Sequence, residues 1–353
     1  MVLDDILQVL QNSNRILITT HIRPDGDAIG SQLALGRFLH RMGKDVAMIN
    51  THEVPSSLDW MPNVEAIQVF DGSLHQHGTI AAADTIVVVD TNTLHRLGSK
   101  LGPIVRSSTA CKVLIDHHTE PEAWFDHVYV EERAAATGEM IYTLICHRDA
   151  GFLVHKEIAT ALYVALVTDT GSFQYGTVTP NVHRITAEIL ERGGVDPSAV
   201  YSAIYESHSL PWARLLAQVL GTLTMHFEGR LGYLVATRGM ITETGCTYSD
   251  LEGFVDYAMA IEGVEVALLF SQLPHGTKVS FRSKGDRHVH KWARSFGGGG
   301  HRNASGAYLT RPLEEVISSV MEVAPRYTGL SEESDGGLSA DDEAYLTTLL
   351  EST

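Results

Sequence analysis

Residues 15–43, "RILITTHIRPDGDAIGSQLALGRFLHRMG", hold three kinds of chain in succession. "RILITT" is apolar and β-branched and reads as a strand. "HIRPDGD" is polar and punctuated by Pro24 and Gly26, as a loop is. "AIGSQLALGRFLHRMG" then sets Ile29, Leu33, Leu35 and Leu39 roughly along one helical face and stops at Gly43. A strand, a tight loop and a helix form half of a βαβ unit.

The pattern continues outward from there. "DVAMIN" (45–50), "TIVVVD" (85–90) and "KVLID" (112–116) read as further strands. "VVV" and "VLI" do not alternate, which suits strands buried on both faces of a parallel sheet. "TGEMIYTLICHRDA", "HKEIATALYVALVTD" and "NVHRITAEILERGG" read as helices. The fold class is therefore α/β, with an N-terminal doubly wound, mostly parallel sheet over residues 1–193. Residues 194–221 read as a helical linker. From 222 to 328 the pattern changes to hairpins, one about Glu228–Gly229 and one turning at Pro274–Gly276, which implies a smaller α+β domain. Residues 329–353 form an acidic tail, expected to be disordered apart from a short helix over "DDEAYLTTLL".

Bulk composition narrows the function. The net charge is −17, and −10 without the seven acids that follow Tyr327, which argues against coating long nucleic acid by electrostatics alone. A polyanionic substrate would need a focused basic pocket or metal ions, and 18 histidines favour metals. No apolar run approaches the roughly 20 residues of a membrane span. The start, "MVLDDILQVL", carries acids where an export signal is basic, and three scattered cysteines make no disulfide framework. A cytoplasmic location and no membrane contact are expected.

Strand ends carry the candidate chemistry. His21, Asp25 and Asp27 follow the first strand, Asp90 ends the third, and Asp116, His117 and His118 end the fourth; Asp169 ends a helix in "VTDTGSF". In an open α/β sheet the ligand crevice lies outside the carboxyl ends of the strands, so these groups can converge. Carboxylates crowded together repel unless cations sit among them. Oxygens with imidazoles suit Mn²⁺ or a similar ion, and two metals about 3.5–4 Å apart could serve an in-line phosphoryl displacement. Asp90, alone on its strand, is the natural bridge. Singly, each residue has a plainer reading: His21 in a turn, Asp25–Gly26 as a turn dipeptide, Asp27 as a helix cap, Asp116 as a solvated strand end.

"HIRPDGDAIGS", "VVVDT", "IDHH" and "VTDTGSF" resemble the four motifs of the DHH phosphoesterases. "FGGGGHRNASG" (296–306), with "VSFRSKG" upstream, resembles the glycine-rich motif of the DHHA1 domain, and together these cover about residues 10–325. The combination is similar to the subgroup that includes bacterial oligoribonucleases with pAp phosphatase activity. The resemblance implies an active site in the cleft between a DHH and a DHHA1 domain. It implies one metal on His21, Asp25 and Asp90 and a second on Asp27, Asp90, His117 and Asp169; Pro24 and Gly26 would then turn the chain so that Asp25 and Asp27 face different ions. His118 would face the scissile phosphate, and Asp116 would orient a histidine. In the glycine-rich segment, Gly297, Gly298, Gly299 and Gly300 could adopt φ > 0 and bring N–H groups to a phosphate; a flexible linker is the alternative. His301, Asn303 and Ser305 add donors beside Gly306, and Arg282 could grip a phosphate bidentately. Ser283 and Lys284 are weaker candidates; Arg96, just after Asp90, could contact a phosphate, but an exposed helix arginine is the favoured reading.

The expected function is that of a metal-dependent phosphodiesterase, an exoribonuclease and 3′(2′),5′-bisphosphate nucleotidase. Short single-stranded RNA would yield 5′-mononucleotides, and pAp would yield AMP, by two-metal hydroxide attack on phosphorus. Mn²⁺ is the expected ion, with Mg²⁺ or Co²⁺ as alternatives; extended duplexes are not expected partners, and a homodimer is consistent with the family. Other readings are a cyclic-dinucleotide or pApA phosphodiesterase, a RecJ-like exonuclease on short single-stranded DNA, a family II pyrophosphatase, and a nucleotide sensor without catalysis.

Overall fold

The computed structural model describes residues 2–300 and 302–330, which divide after Ser207 into two compact units. His301 and all but two residues of the 329–353 tail lie outside the described residues. In the first unit, strands β1 (Arg15–Thr19), β2 (Asp45–Asn50), β3 (Ile67–Val69), β4 (Thr85–Val89), β5 (Cys111–Asp116) and β6 (His127–Val130) form one sheet. Its order is β3-β2-β1-β4-β5-β6, and every pairing is parallel. β4 is buried at all five residues, as its unbroken apolar run requires. The edge strands β3 and β6 are short and half exposed, and no run in the sequence marks them.

Among the described residues, eight α-helices belong to this unit: α1 (Val2–Asn12), α2 (Gly26–Arg41), α3 (Leu74–Ala82), α4 (Leu101–Ser107), α5 (Thr137–Asp149), α6 (Lys156–Asp169), α7 (Pro180–Gly193) and α8 (Pro197–Tyr205). The sequence reading of α2 as a one-faced helix is corrected here: 13 of its 16 residues are buried. It packs against α6, and the amide of its Gln32 pairs with Asn50 and donates to Ile18 O, which satisfies the polar groups so buried.

The close packing has a simple cause. A Cβ on Gly30 of α2 would lie 2.4 Å from Ala161 O, and one on Gly138 of α5 would lie 2.4 Å from Ala165 Cβ. Missing side chains on α2 and α5 therefore meet small residues on α6. That approach brings the N-termini of α2 and α5 toward the end of α6 at Asp169.

The second unit holds a mixed sheet in the order β11-β12-β10-β9-β8-β7. Its strands are β7 (Thr224–His226), β8 (Leu231–Ala236), β9 (Val266–Leu273), β10 (Gly276–Ser283), β11 (Gly299–Gly300) and β12 (Ala304–Leu309). Both expected hairpins form, β7–β8 and β9–β10, while β8 and β9 pair in parallel. The helices are α9 (Leu210–Leu220), α10 (Arg238–Thr244), α11 (Phe254–Met259), α12 (His290–Ser295), α13 (Leu313–Glu322) and α14 (Ala324–Thr328). Among the described residues, no helix is long and apolar enough to cross a membrane.

Candidate metal centre

In the first sheet the strand order reverses between β1 and β4, the point where sheets of this kind bind ligands beyond their carboxyl ends. His21 lies two residues past β1, 3 % exposed. Its Nδ1 donates to Ile22 O at 2.8 Å, since a carbonyl can only accept. Nε2 therefore carries the lone pair. It stands 3.3 Å from Asp90 Oδ2 and 3.8 Å from Asp25 Oδ2 and makes no hydrogen bond.

Asp25, rather than Asp27, caps α2: its Oδ1 accepts from Ala28 N at 3.0 Å, leaving Oδ2 toward His21. The turn before it is made by Arg23, at φ 52°. Gly26 is already helical, and its role differs from the expected turning one: a Cβ there would lie 2.4 Å from Thr168, so glycine admits α6. Asp27 points inward to the N-terminus of α5. Its Oδ2 accepts from Thr137 N at 2.6 Å, and its Oδ1 accepts from Gly138 N at 2.8 Å and Ser31 Oγ at 3.1 Å. The unpaired N–H groups of a helix start are natural partners for a carboxylate.

Asp90 follows β4 with φ 58°, a left-handed conformation that aspartate tolerates better than most residues. Its N–H still bonds Ile115 O, and Oδ1 accepts from Thr137 Oγ1 at 2.9 Å. One oxygen faces each side: Oδ2 toward His21, Oδ1 toward His117 Nε2 at 3.6 Å. His117 donates through Nδ1 to Ala134 O, so its Nε2 also presents a lone pair, 3.4 Å from Asp169 Oδ2 and 3.9 Å from Asp27 Oδ2. His118 donates through Nδ1 to the fully buried Asp116 at 2.7 Å.

Among the described residues, three sets of donor atoms lie within 4.8 Å of one another: His21–Asp25–Asp90, Asp27–His117–Asp169 and Asp90–His117–His118. The donors fit divalent ions. Two ligands about 2.1 Å from one ion and at right angles stand about 3 Å apart, close to the spacings here. The set is oxygen and imidazole without thiolate, which suits Mn²⁺, Mg²⁺ or a similar ion better than a thiolate-bound structural metal.

Electrostatics points the same way. Burial, then the charges of Asp90, Asp169 and Asp25, push the Asp27 carboxyl well above the usual range. Asp169 is pushed up to about 7, by its crowded surroundings first and by Asp90, Asp25 and Asp116 against the pull of His117. Burial also opposes the Asp90 anion, yet the facing His21, His118 and His117 hold its carboxyl well below the usual range. A raised value means that the folded state keeps its proton while the unfolded chain has released it. Stability from Asp169 is therefore present at acid pH and is lost as pH rises from 3.8 toward about 7. Asp90, with its lowered value, contributes no slope in that window. Metal-free protein in EDTA should thus show a Tm that falls between about pH 4 and about pH 7. Saturating Mn²⁺, which binds only ionised carboxylates, should abolish or reverse the fall. A thermal scan at each pH checks this, and a metal-free Tm rising across the window contradicts it.

The chain matches the DHH family, N-terminal domain, over residues 15–166 and the DHHA1 domain over 231–327. It is 32 % identical over 318 residues to the bifunctional oligoribonuclease and PAP phosphatase NrnA of Thermus thermophilus, covering 88 % of this chain and 90 % of that protein. This chain belongs to the DHH family. The protein of the same description from Bacillus subtilis is 25 % identical, with 86 % and 92 % covered. The crystal structure of an exopolyphosphatase-related protein from Bacteroides fragilis superposes with a TM-score of 0.88 at 30 % identity, covering 93 % of this chain and 96 % of that one. The protein is accordingly a DHH-family hydrolase.

The glycine-rich segment of the DHHA1 unit is more internally engaged than its sequence suggests. Gly297 and Gly300 have φ of 76° and 135°, but Gly298 is needed for packing, since a Cβ would lie 2.1 Å from Gly306 O. Gly299 and Gly300 pair with Gly306 and Ser305 as a two-residue edge strand, and Ser305 is buried. Asn303 Nδ2 donates to Ser283 Oγ and to the carbonyls of Gly285 and Arg287, and Ser283 Oγ donates to Arg287 O. Arg282 Nε lies 3.4 Å from Asp256, leaving the guanidinium partly exposed. Lys284 N–H donates to Glu265 O.

Several groups of the DHH unit left little or no signal in the sequence. The Thr137 and Gly138 backbone donors carry no residue-type signal. Arg96 is no exposed helix arginine: it is half buried in one turn of 3-10 helix, Leu94–Leu97, with Nη1 3.3 Å from His118 Nε2. Asn92 Nδ2 donates to His118 O and Thr119 O. The proximity of Arg96 to Asp90 was the only available signal.

Proposed function

We propose that this chain hydrolyses short oligoribonucleotides to 5′-mononucleotides and removes the 3′-phosphate of pAp to give AMP. The carrying observation is Asp90, with one carboxylate oxygen toward His21 and the other toward His117. A single residue so placed can serve two cation positions at once. His21, Asp25 and Asp90 would hold one ion, and Asp27, Asp90, His117 and Asp169 the other, with Mn²⁺ as the expected metal. Divalent ions there would polarise phosphoryl oxygens and lower the pKa of water, which is the chemistry phosphoester hydrolysis requires.

The protein's own groups do the rest. Ile22 O and Ala134 O fix the tautomers of His21 and His117, and the start of α5 orients Asp27. Asp116 anchors the His118 ring through its Nδ1–H and so fixes where Nε2 points. In the DHHA1 unit, Arg282 and residues 298–306 (Gly298, Gly299, Gly300, His301, Asn303, Ser305 and Gly306) would hold the nucleotide portion, with Ser283 bracing Asn303. A net charge of −17 favours short substrates over extended duplexes. The three cysteines are free, in keeping with a cytoplasmic setting.

A side-by-side rate comparison with Mn²⁺ on pAp, pApA, a five-mer and a longer single-stranded RNA tests the reading. AMP and mononucleotide release should be fast from the first three and slow from the last. Failure to release phosphate or mononucleotide from all four would refute it; preference for pApA would move the assignment toward cyclic-dinucleotide turnover.

A further inference from the structure

We propose that Arg96 binds a non-bridging oxygen of the phosphate under attack, with His118 as the post that aims it. The inference rests on the phosphoesterase reading above. The two nitrogens of the His118 ring have different partners. Nδ1 donates to Asp116 Oδ1, so Nε2 carries a lone pair. That lone pair meets Arg96 Nη1 at 3.3 Å. Guanidinium is always cationic and can only donate. A fixed positive charge is thus docked on the His118 imidazole.

The backbone around Arg96 is built to keep it there. Arg96 O accepts from Ile22 N at 2.6 Å, which ties its turn to the residue after His21. Thr51 Oγ1 donates to Leu97 O at 2.5 Å. Gly98, at φ 88°, lets Thr51 in, since a Cβ would lie 2.6 Å from its Cγ2. Asn92, in the same loop, donates to His118 O and Thr119 O at 3.1 and 3.0 Å. Arg96 and His118 are therefore held in mutual register through main chain, not only through their tips.

Charge explains the need. Asp25, Asp27, Asp90, Asp116 and Asp169 gather at this end of the sheet, and two divalent cations would leave their sum one charge negative. Arg96 cancels that remainder, so an anionic phosphate enters a neutral site. A phosphate oxygen is a stronger acceptor than a neutral imidazole, and the planar fork of arginine fits two such oxygens. On substrate entry the guanidinium exchanges Nε2 for phosphate, and no covalent bond changes.

The test compares wild type, Arg96→Ala and Arg96→Lys on pAp with Mn²⁺, with Mn²⁺ stoichiometry measured on the same preparations. Arg96→Ala should lose about 10²–10³-fold in kcat/KM, mostly in kcat, as removal of one charge-stabilising donor does. Its bound Mn²⁺ should equal that of wild type. Added guanidinium ion should restore the alanine variant at least about tenfold and leave wild type unchanged. Arg96→Lys, which keeps charge but loses the fork, should fall between, and it carries the test if the alanine variant does not fold. Activity of Arg96→Ala within about threefold of wild type overturns the proposal. So does loss of Mn²⁺ without guanidinium rescue, because Arg96 would then only support His118. A wild type inactive on every phosphoester sinks the phosphoesterase reading and this inference with it.

Discussion

Asp90→Asn is expected to lower kcat/KM on pAp by about 10³-fold or more, with the chain still folded. Asparagine keeps the shape, the acceptor for Thr137 Oγ1 and the tolerance for φ 58°, and its backbone N–H still bonds Ile115 O. What it loses is the anionic oxygen on one side. Asp90 faces both His21 and His117, so the loss should reach both cation positions, and Mn²⁺ stoichiometry should fall below that of wild type. Kinetics, metal analysis and circular dichroism on one preparation separate this from unfolding. Retained turnover with two bound Mn²⁺ ions would end the idea of a shared bridge.

Gly138→Ala should damage the same centre from a distance, through packing. The added Cβ would sit 2.4 Å from Ala165 Cβ and 3.4 Å from Asp27 Oδ1. Helix α5 must then move away from α6, and the two N–H bonds that orient Asp27 move with it. Overpacking of this kind costs about 2–3 kcal/mol, which lowers Tm by roughly 4–12 °C in a domain of this size. Disturbed support of a ligand should weaken Mn²⁺ affinity by about 10–100-fold. Gly239→Ala is the control: its Cβ meets nothing nearer than Thr237 Oγ1 at 3.6 Å, so stability and affinity should hold. Equal behaviour of the two variants would show that the α5–α6 contact does not tune the site.

Much of this was legible in the chain because the relevant physics is local. Non-alternating runs such as "TIVVV" announce strands covered on both faces, and residues just past them must lie at the sheet's carboxyl edge. His21, Asp25, Asp27, Asp90, His117 and Asp169 could therefore be grouped without coordinates, and the fold gathers their donor atoms. Edge strands β3 and β6 were not legible, because short, half-solvated strands leave little apolar periodicity. Nor was the burial of α2 nearly all round, since that depends on α5 and α6 closing over it.

The sequence by itself determined which groups can carry the chemistry: acids and imidazoles at strand ends, in an α/β order that makes them neighbours. Tertiary structure alone decided how each is held. Thr137 and Gly138 meet Asp27 across 110 and 111 residues through backbone N–H groups that any residue type but proline supplies. Gly26 reads locally as a turn glycine, yet its reason is Thr168 on another helix. Arg96 looks like a surface charge until the loops after β1, β2 and β5 fix its backbone beside His118. Such roles come from contacts between distant segments, and residue type and spacing carry little record of them.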